Sequence, residues 1–184
     1  MTFTKRFLRS TLTGLTLLAS LAGCSLGPPA GVTVISPFDL QQYAGKWYEI
    51  ARLDHSFERG LTDINATYSK LPDGDIQVIN RGFDPDRSKW KQAVGVAEFT
   101  GNPTQGSLKV AFFWPFYGGY HVVELDREHY RWSLVMGPDR DYFWILSKDK
   151  HLDTELKQTL LEKVRKLGVD TSKLIWTPQT RSDS

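Results

Sequence analysis

Between residues 37 and 148 apolar and polar positions alternate in eight short runs, and a period of two marks strands that turn one face to a core. The runs cover residues 45–53, 62–71, 75–83, 89–99, 107–114, 119–126, 129–136 and 142–148. Among the breaks are Pro72-Asp73-Gly74, Asp84-Pro85-Asp86, Gly101-Asn102-Pro103 and Gly137-Pro138-Asp139, residue types whose dihedral preferences suit tight turns. Connections this short join antiparallel neighbours, so the pattern predicts a meander. Eight such strands can close into an up-and-down barrel, which has no free edge and an interior that side chains fill or one small ligand occupies. The fold class expected is all-β, an eight-stranded antiparallel barrel.

The period changes once. In residues 153–168 the apolar Leu156, Leu160, Val164 and Leu167 recur at helical spacing, with Asp153 placed to cap the start and Gly168 the end. This predicts one C-terminal α-helix packed on the outside of the barrel. Glu155 and Glu162 dilute the basic face that a membrane-surface helix would present. Residues 173–176 read as a short last strand and 178–184 as a flexible tail.

A different pattern opens the chain. Lys5, Arg6 and Arg9 precede the apolar run Leu12 to Ala22, and Leu21-Ala22-Gly23-Cys24 follows where small residues mark cleavage of an export signal. That run is shorter than the roughly 20 residues that span a bilayer. The expected divisions are a signal over 1–23, an N-terminal tether over 24–36, a globular domain over 37–177 and the tail. Without the signal, the 23 Lys and Arg fall to 20 against 21 Asp and Glu. A chain so nearly neutral, with no basic stripe, is not expected to bind nucleic acid. Its one cysteine, Cys24, has no intramolecular disulfide partner.

Leu21 to Cys24 resembles the lipobox of bacterial lipoproteins. The resemblance implies a diacylglycerol on the Cys24 sulfur and an acyl group on its amine, with Ser25 directing the product to the outer membrane; an ordinary secretory signal with an incidental cysteine is the alternative. More than one acyl chain makes such an anchor stable, because each buried CH₂ contributes only ~0.8 kcal/mol.

Gly45 to Arg52, GKWYEIAR, resembles the G-x-W motif of the lipocalins, and Gly137 to Leu146, GPDRDYFWIL, resembles their second motif, with Arg140-Asp141-Tyr142 where Thr-Asp-Tyr is common. Together with residues 57–60, 112–120 and 122–126 the likeness runs over nearly the whole mature chain. It is nearest to the bacterial outer-membrane lipoprotein lipocalins, relatives of apolipoprotein D. In physical terms Gly45 permits close backbone approach and Trp47 supplies an apolar plug. The resemblance implies an arginine over Trp47, for which Arg165 and Arg181 are the candidates.

Alternation groups Leu108, Val110 and Phe112 on one face, Tyr120 and Val122 on another, and Tyr142, Trp144 and Leu146 on a third. Family likeness implies that these line the lumen, with Tyr68 and Asn80. An apolar lumen with a few hydroxyl and amide groups suits an acyl chain. The resemblance implies a carrier of fatty acids or lysophospholipids for membrane maintenance under envelope stress, lipid-anchored in the outer membrane and facing the periplasm, without a cofactor. A barrel filled by its own side chains, or one that holds haem or a retinoid, stays open as an alternative.

Two further clusters carry candidate chemistry. Trp114, Pro115, Phe116 and Tyr117 make an apolar turn where a hairpin is ordinarily polar, so Trp114 and Tyr117 are expected to line or lid the opening or to join a homodimer. Asp54, His55 and Glu58 follow the first strand and could serve acid–base chemistry in a lipid-modifying enzyme. Against that, the globular domain over 37–177 has no G-x-S-x-G, and His55, His121, His129 and His151 have no metal-binding spacing. Arg52 and Arg59 are candidates for a lipid head group.

Overall fold

A computed structural model of the protein describes residues 26–182. The eight strands are β1 (Gly45–Arg52), β2 (Thr62–Lys70), β3 (Ile76–Asp84), β4 (Lys89–Phe99), β5 (Ser107–Phe113), β6 (Phe116–Leu125), β7 (Trp132–Met136) and β8 (Phe143–Ser147). Each pairs antiparallel with the next, and β1 pairs with both β2 and β8, which closes the barrel. The start of β1 marks one end and the tip of the β5–β6 hairpin, where Phe113 faces Phe116, marks the other.

Alternation sorts the side chains into two cores. Trp47, Tyr68, Val78, Ala97, Leu108, Val122, Val135 and Leu146 belong to the inner one. Ile50, Leu134, Met136, Phe143 and Ile145 point outward and meet Leu160 and Val164 of the helix α2 (Thr154–Lys166), as the apolar stripe predicts. Burying these two helix residues contributes roughly 1.5–3 kcal/mol each. The Asp153 carboxylate accepts the Leu156 N–H at 2.8 Å, and Gly168 ends the helix at φ +78°.

The strand bounds differ from expectation by as much as three residues at two places. β6 begins at Phe116, because the apolar turn continues the hairpin almost to its tip. β7 begins at Trp132, because the Asp126 carboxylate gathers the N–H groups of Glu128, His129 and Arg131 into a loop in which Tyr130 takes φ +53°. A four-residue helix, α1 (Leu40–Tyr43), capped by Asp39, was not legible in the alternation.

Both ends of the described chain are tied to the barrel. The Ile35 N–H donates to Val122 O at 2.8 Å, and Arg140 donates to Ala30 O at 3.0 Å, so the segment runs along the barrel before Ile35 joins the inner core. At the other end β1 and β2 diverge beyond Tyr48 and Asn65. The short strand β9 (Ile175–Trp176) pairs with Ala51 and Arg52, and the residues after it fill the gap. Asp63 N–H donates to Pro178 O, and the Gln179 amide donates to Glu49 O at 2.9 Å and Ile64 O at 2.8 Å. The expected flexible tail is therefore corrected as far as Arg181: unpaired backbone on two diverging strands recruits it.

Candidate functional site

One end of the barrel is plugged. Trp47 is fully buried, its indole N–H donates to Tyr43 O at 2.6 Å, and the two rings stand 4.7 Å apart. Gly45 holds φ +91°, where a side chain would be strained, and a Cβ there would sit 3.5 Å from Lys148 Nζ. The cation over Trp47 is that Lys148, 4.3 Å from the ring and donating to Ala44 O at 2.7 Å. Burial lowers its pKa to about 8. Neither arginine named from sequence takes this place: Arg181 lies over Phe83 and beside Asp63, and Arg165 is exposed on α2.

Above the plug three tyrosine hydroxyls meet. Tyr120 bonds Tyr43 at 2.7 Å and Tyr68 at 2.9 Å, and Tyr43 also bonds Ser133 at 3.2 Å. Burial raises all three pKa values, that of Tyr43 to about 12, so the hydroxyls stay neutral.

Toward the other end the lumen loosens. Trp47, Tyr68, Val78, Ala97 and Leu146 are buried, whereas the inward Ala66, Asn80, Phe112, Tyr120 and Trp144 keep accessible surface and Ala93, the register partner of Asn80, is exposed. Ala66 and Ala93 leave this space, whereas the glycines on the same side are covered: a Cβ on Gly82 would stand 3.1 Å from Leu61, and one on Gly95 2.8 Å from the Phe112 ring. The alternation of small residues at 93, 95 and 97 is the signal by which the sequence announces it, and sequence reasoning passed over it. The side-chain oxygen of Asn80 is buried with no hydrogen-bond partner among the described residues.

The mouth carries a buried polar network. A bulge between Glu49 and Ala51 brings both Glu49, partner of Leu146, and Arg52, partner of Trp144, to the inner face. Arg52 is 2% exposed and donates to Glu49 at 2.8 Å, to Thr177 Oγ1 at 3.1 Å and to Glu58 O at 3.0 Å. Thr177 also donates to Glu49. Glu58 accepts the Trp144 indole N–H at 3.1 Å and hydrogen-bonds Glu49. Burial first, and the Glu49 charge second, raise the Glu58 pKa well above the ordinary value, so it is the protonated partner. His55 stands 3.3 Å from Glu58 without an aligned hydrogen bond, and burial, then Arg52, lower its pKa to about 4.

This arrangement does not assemble an acid–base pair. Asp54 turns to solvent, where Arg59 holds it at 2.7 Å, and His55 and Glu58 are both neutral in the wall. Of the two head-group candidates, Arg52 is buried and held in the network through both terminal nitrogens, its Nε alone having no partner among the described residues, and Arg59 is exposed on the rim. Tyr142 precedes β8 and stacks on His55 at the rim, 6.0 Å between centroids. Trp114 is 82% exposed at the hairpin tip, outside the lumen. Tyr117 faces outward, donating to Glu98 at 3.0 Å beneath Lys109. Asp141 is exposed in the β7–β8 turn, its N–H bonded to Asp139. Among the described residues no cluster of His, Cys, Asp and Glu could hold a metal ion. Cys24 lies outside the described residues.

Comparison with known proteins gives the same picture. A family model described as a lipocalin-like domain matches residues 38–179. The outer membrane lipoprotein Blc of Escherichia coli K12 is 56% identical over 84% of this chain and 87% of its own, and that of Vibrio cholerae is 47% identical over 86% and 92%. Apolipoprotein D of Mus musculus is 31% identical over 92% of each chain. Insecticyanin of the tobacco hornworm superposes with a TM-score of 0.68 at 22% identity, over 82% of this chain and 85% of that one, and speaks for the fold alone. With its plugged antiparallel barrel, its outer helix and these relatives, the chain belongs to the lipocalin family.

Proposed function

We propose that this lipocalin is a carrier, not an enzyme, and that it holds one acyl chain tail-down in the lumen as a fatty acid or lysophospholipid, with the head group at the mouth. The observation that carries the reading is the gradient of accessibility along the inner face, closed at Trp47 and open from Asn80 and Ala93 upward. The walls of that cup are aromatic and aliphatic, and the buried charges beside it are compensated within the wall, so the interior favours an uncharged tail. At ~0.8 kcal/mol per buried CH₂, a long chain gains on the order of 10 kcal/mol before the costs of association.

The protein acts as an outer-membrane lipoprotein, anchored through acyl groups on Cys24 and facing the periplasm, where it stores or moves such lipids during membrane maintenance under envelope stress. The two relatives named outer membrane lipoprotein Blc and the Leu-Ala-Gly-Cys sequence support this assignment. Native mass spectrometry of the protein extracted from its own membrane tests the ligand. A bound mass equal to a fatty acid or lysophospholipid is expected; a porphyrin, a retinoid or an empty barrel would overturn the reading.

A further inference from the structure

The largest exposed apolar side chains gather at one end of the molecule. Phe113, Trp114 and Phe116, at 79%, 82% and 76% exposure, form the tip of the β5–β6 hairpin, and Phe57 and Tyr142 stand on the loops around the same opening. Exposed aromatics grouped this way mark a surface that meets another apolar phase.

The path of the N-terminal segment says which one. At Ile35 the segment pairs with Val122. Traced back from there it runs toward the mouth: Arg140, from the β7–β8 loop, holds Ala30 O, and a Cβ on Gly119 would meet Leu26 O at 3.3 Å and Pro138 N at 3.5 Å. Gly119 lies three residues from Phe116, ~10 Å along the strand. Leu26 is two positions after Cys24, a reach of at most ~7 Å. The described chain therefore begins on the side of the aromatic tip, away from the plugged end.

We propose that the protein docks mouth-down on the bilayer that holds its anchor, with Phe113, Trp114 and Phe116 seated in the lipid interface and the lumen opening onto the head groups. Tryptophan suits that interface, where its ring contacts acyl chains and its indole N–H stays wet, and phenylalanine adds apolar contact with the chains. The hairpin then holds the barrel at one tilt that acyl groups on a flexible N-terminus could not impose. A tail leaving the bilayer would enter the lumen without crossing bulk water. The proposal rests on the lipid anchor and the acyl ligand proposed above.

The test uses the lipidated protein reconstituted in vesicles of phosphatidylethanolamine and phosphatidylglycerol with brominated acyl chains. Wild-type fluorescence is expected to be quenched by the brominated lipid, and Trp114→Ser/Phe116→Ser to lose that part of the quenching while keeping wild-type affinity for palmitate in vesicle-free solution. Equal quenching of the two proteins overturns the docking. So does a variant that turns a dimer into a monomer in sedimentation without any change in quenching, since the tip would then be an interface with a second copy. Absence of palmitate binding by the wild type overturns the ligand reading instead and leaves the quenching result to decide the docking.

Discussion

Ala93→Leu places three further carbons in the open half of the lumen. Ala93 pairs in register with Asn80, shares its inward face and is exposed in a barrel whose floor is buried, so the added side chain enters free space. Stability should then change by no more than about 0.5 kcal/mol, because no native contact is broken. An acyl chain reaching this depth must give up about three methylenes, worth about 2.4 kcal/mol at ~0.8 kcal/mol each, or roughly sixtyfold in Kd. Residue 93 lies four residues below Lys89, the mouth end of β4, ~13 Å along the strand. Fatty acids of increasing length, titrated by calorimetry, should lose nothing while the chain stops above that level and the full factor once it passes. Val94→Leu supplies the control, since Val94 is exposed on the opposite face. Equal losses for short and long acids, or an unchanged Kd for long ones, would refute an open cup at this level.

Three other perturbations address the parts that hold the cup. Glu58 binds a proton in the folded state that it has released in the unfolded one, so stability should fall as pH rises from about 4.5 toward its raised pKa. Glu58→Gln, which keeps a carbonyl for the Trp144 indole, should remove that falling part from the pH dependence of urea-unfolding stability, while Glu49, shifted in the same direction, and His55, shifted so that its part rises with pH, keep theirs; a slope equal to wild type is the refuting result. Gly45→Ala must accept φ +91° and should cost about 1–2 kcal/mol in the same assay, and a neutral outcome would remove the conformational argument. Arg52→Leu strands the Glu49 carboxylate in the wall and should cost about 3–5 kcal/mol, whereas Arg52→Leu with Glu49→Leu should recover most of the loss. If the double variant unfolds as readily as the single one, the pair is not the reason Arg52 is needed.

Much of this architecture was legible because strands and turns announce themselves locally. The eight runs and their turn residues required only a period of two, and the outer helix only its stripe. The lumen was harder, since faces are assigned by counting and a bulge shifts the count. Glu49 and Arg52 lie three apart, which in an even strand puts them on opposite faces; the bulge brings both inside. Tyr117 and Tyr120 are also three apart, and the irregularity at this hairpin puts its extra residue on β5, so on β6 the period itself separates them, and only Tyr120 lines the lumen. Trp114 lies beyond the end of β5, where alternation no longer applies. The tail could not be read as ordered, because its partners are carbonyl groups of Glu49 and Ile64 and the carboxylate of Asp63, more than a hundred residues away in sequence.

The polar residues after β1 show why residue type alone misdirects at a barrel mouth. Asp, His and Glu within five positions suggest proton transfer, yet acid–base work requires groups that titrate near the operating pH and converge on a reacting atom. Here the structure separates them by environment. Asp54 remains charged because it reaches water and Arg59, and Glu58 and His55 are neutral because they do not reach water. Arg52, the buried cation beside them, is matched by the Glu49 carboxylate and two oxygen acceptors. The loop over residues 54–61 thereby attaches to β1 and β8 through Trp144 and Arg52 without adding net charge to the inner rim. An acyl tail entering past it meets indole, imidazole and protonated carboxyl groups rather than an uncompensated ion, and the desolvation that would oppose entry is avoided. The same residues that look catalytic in the sequence thus keep the entrance neutral and closed to chemistry.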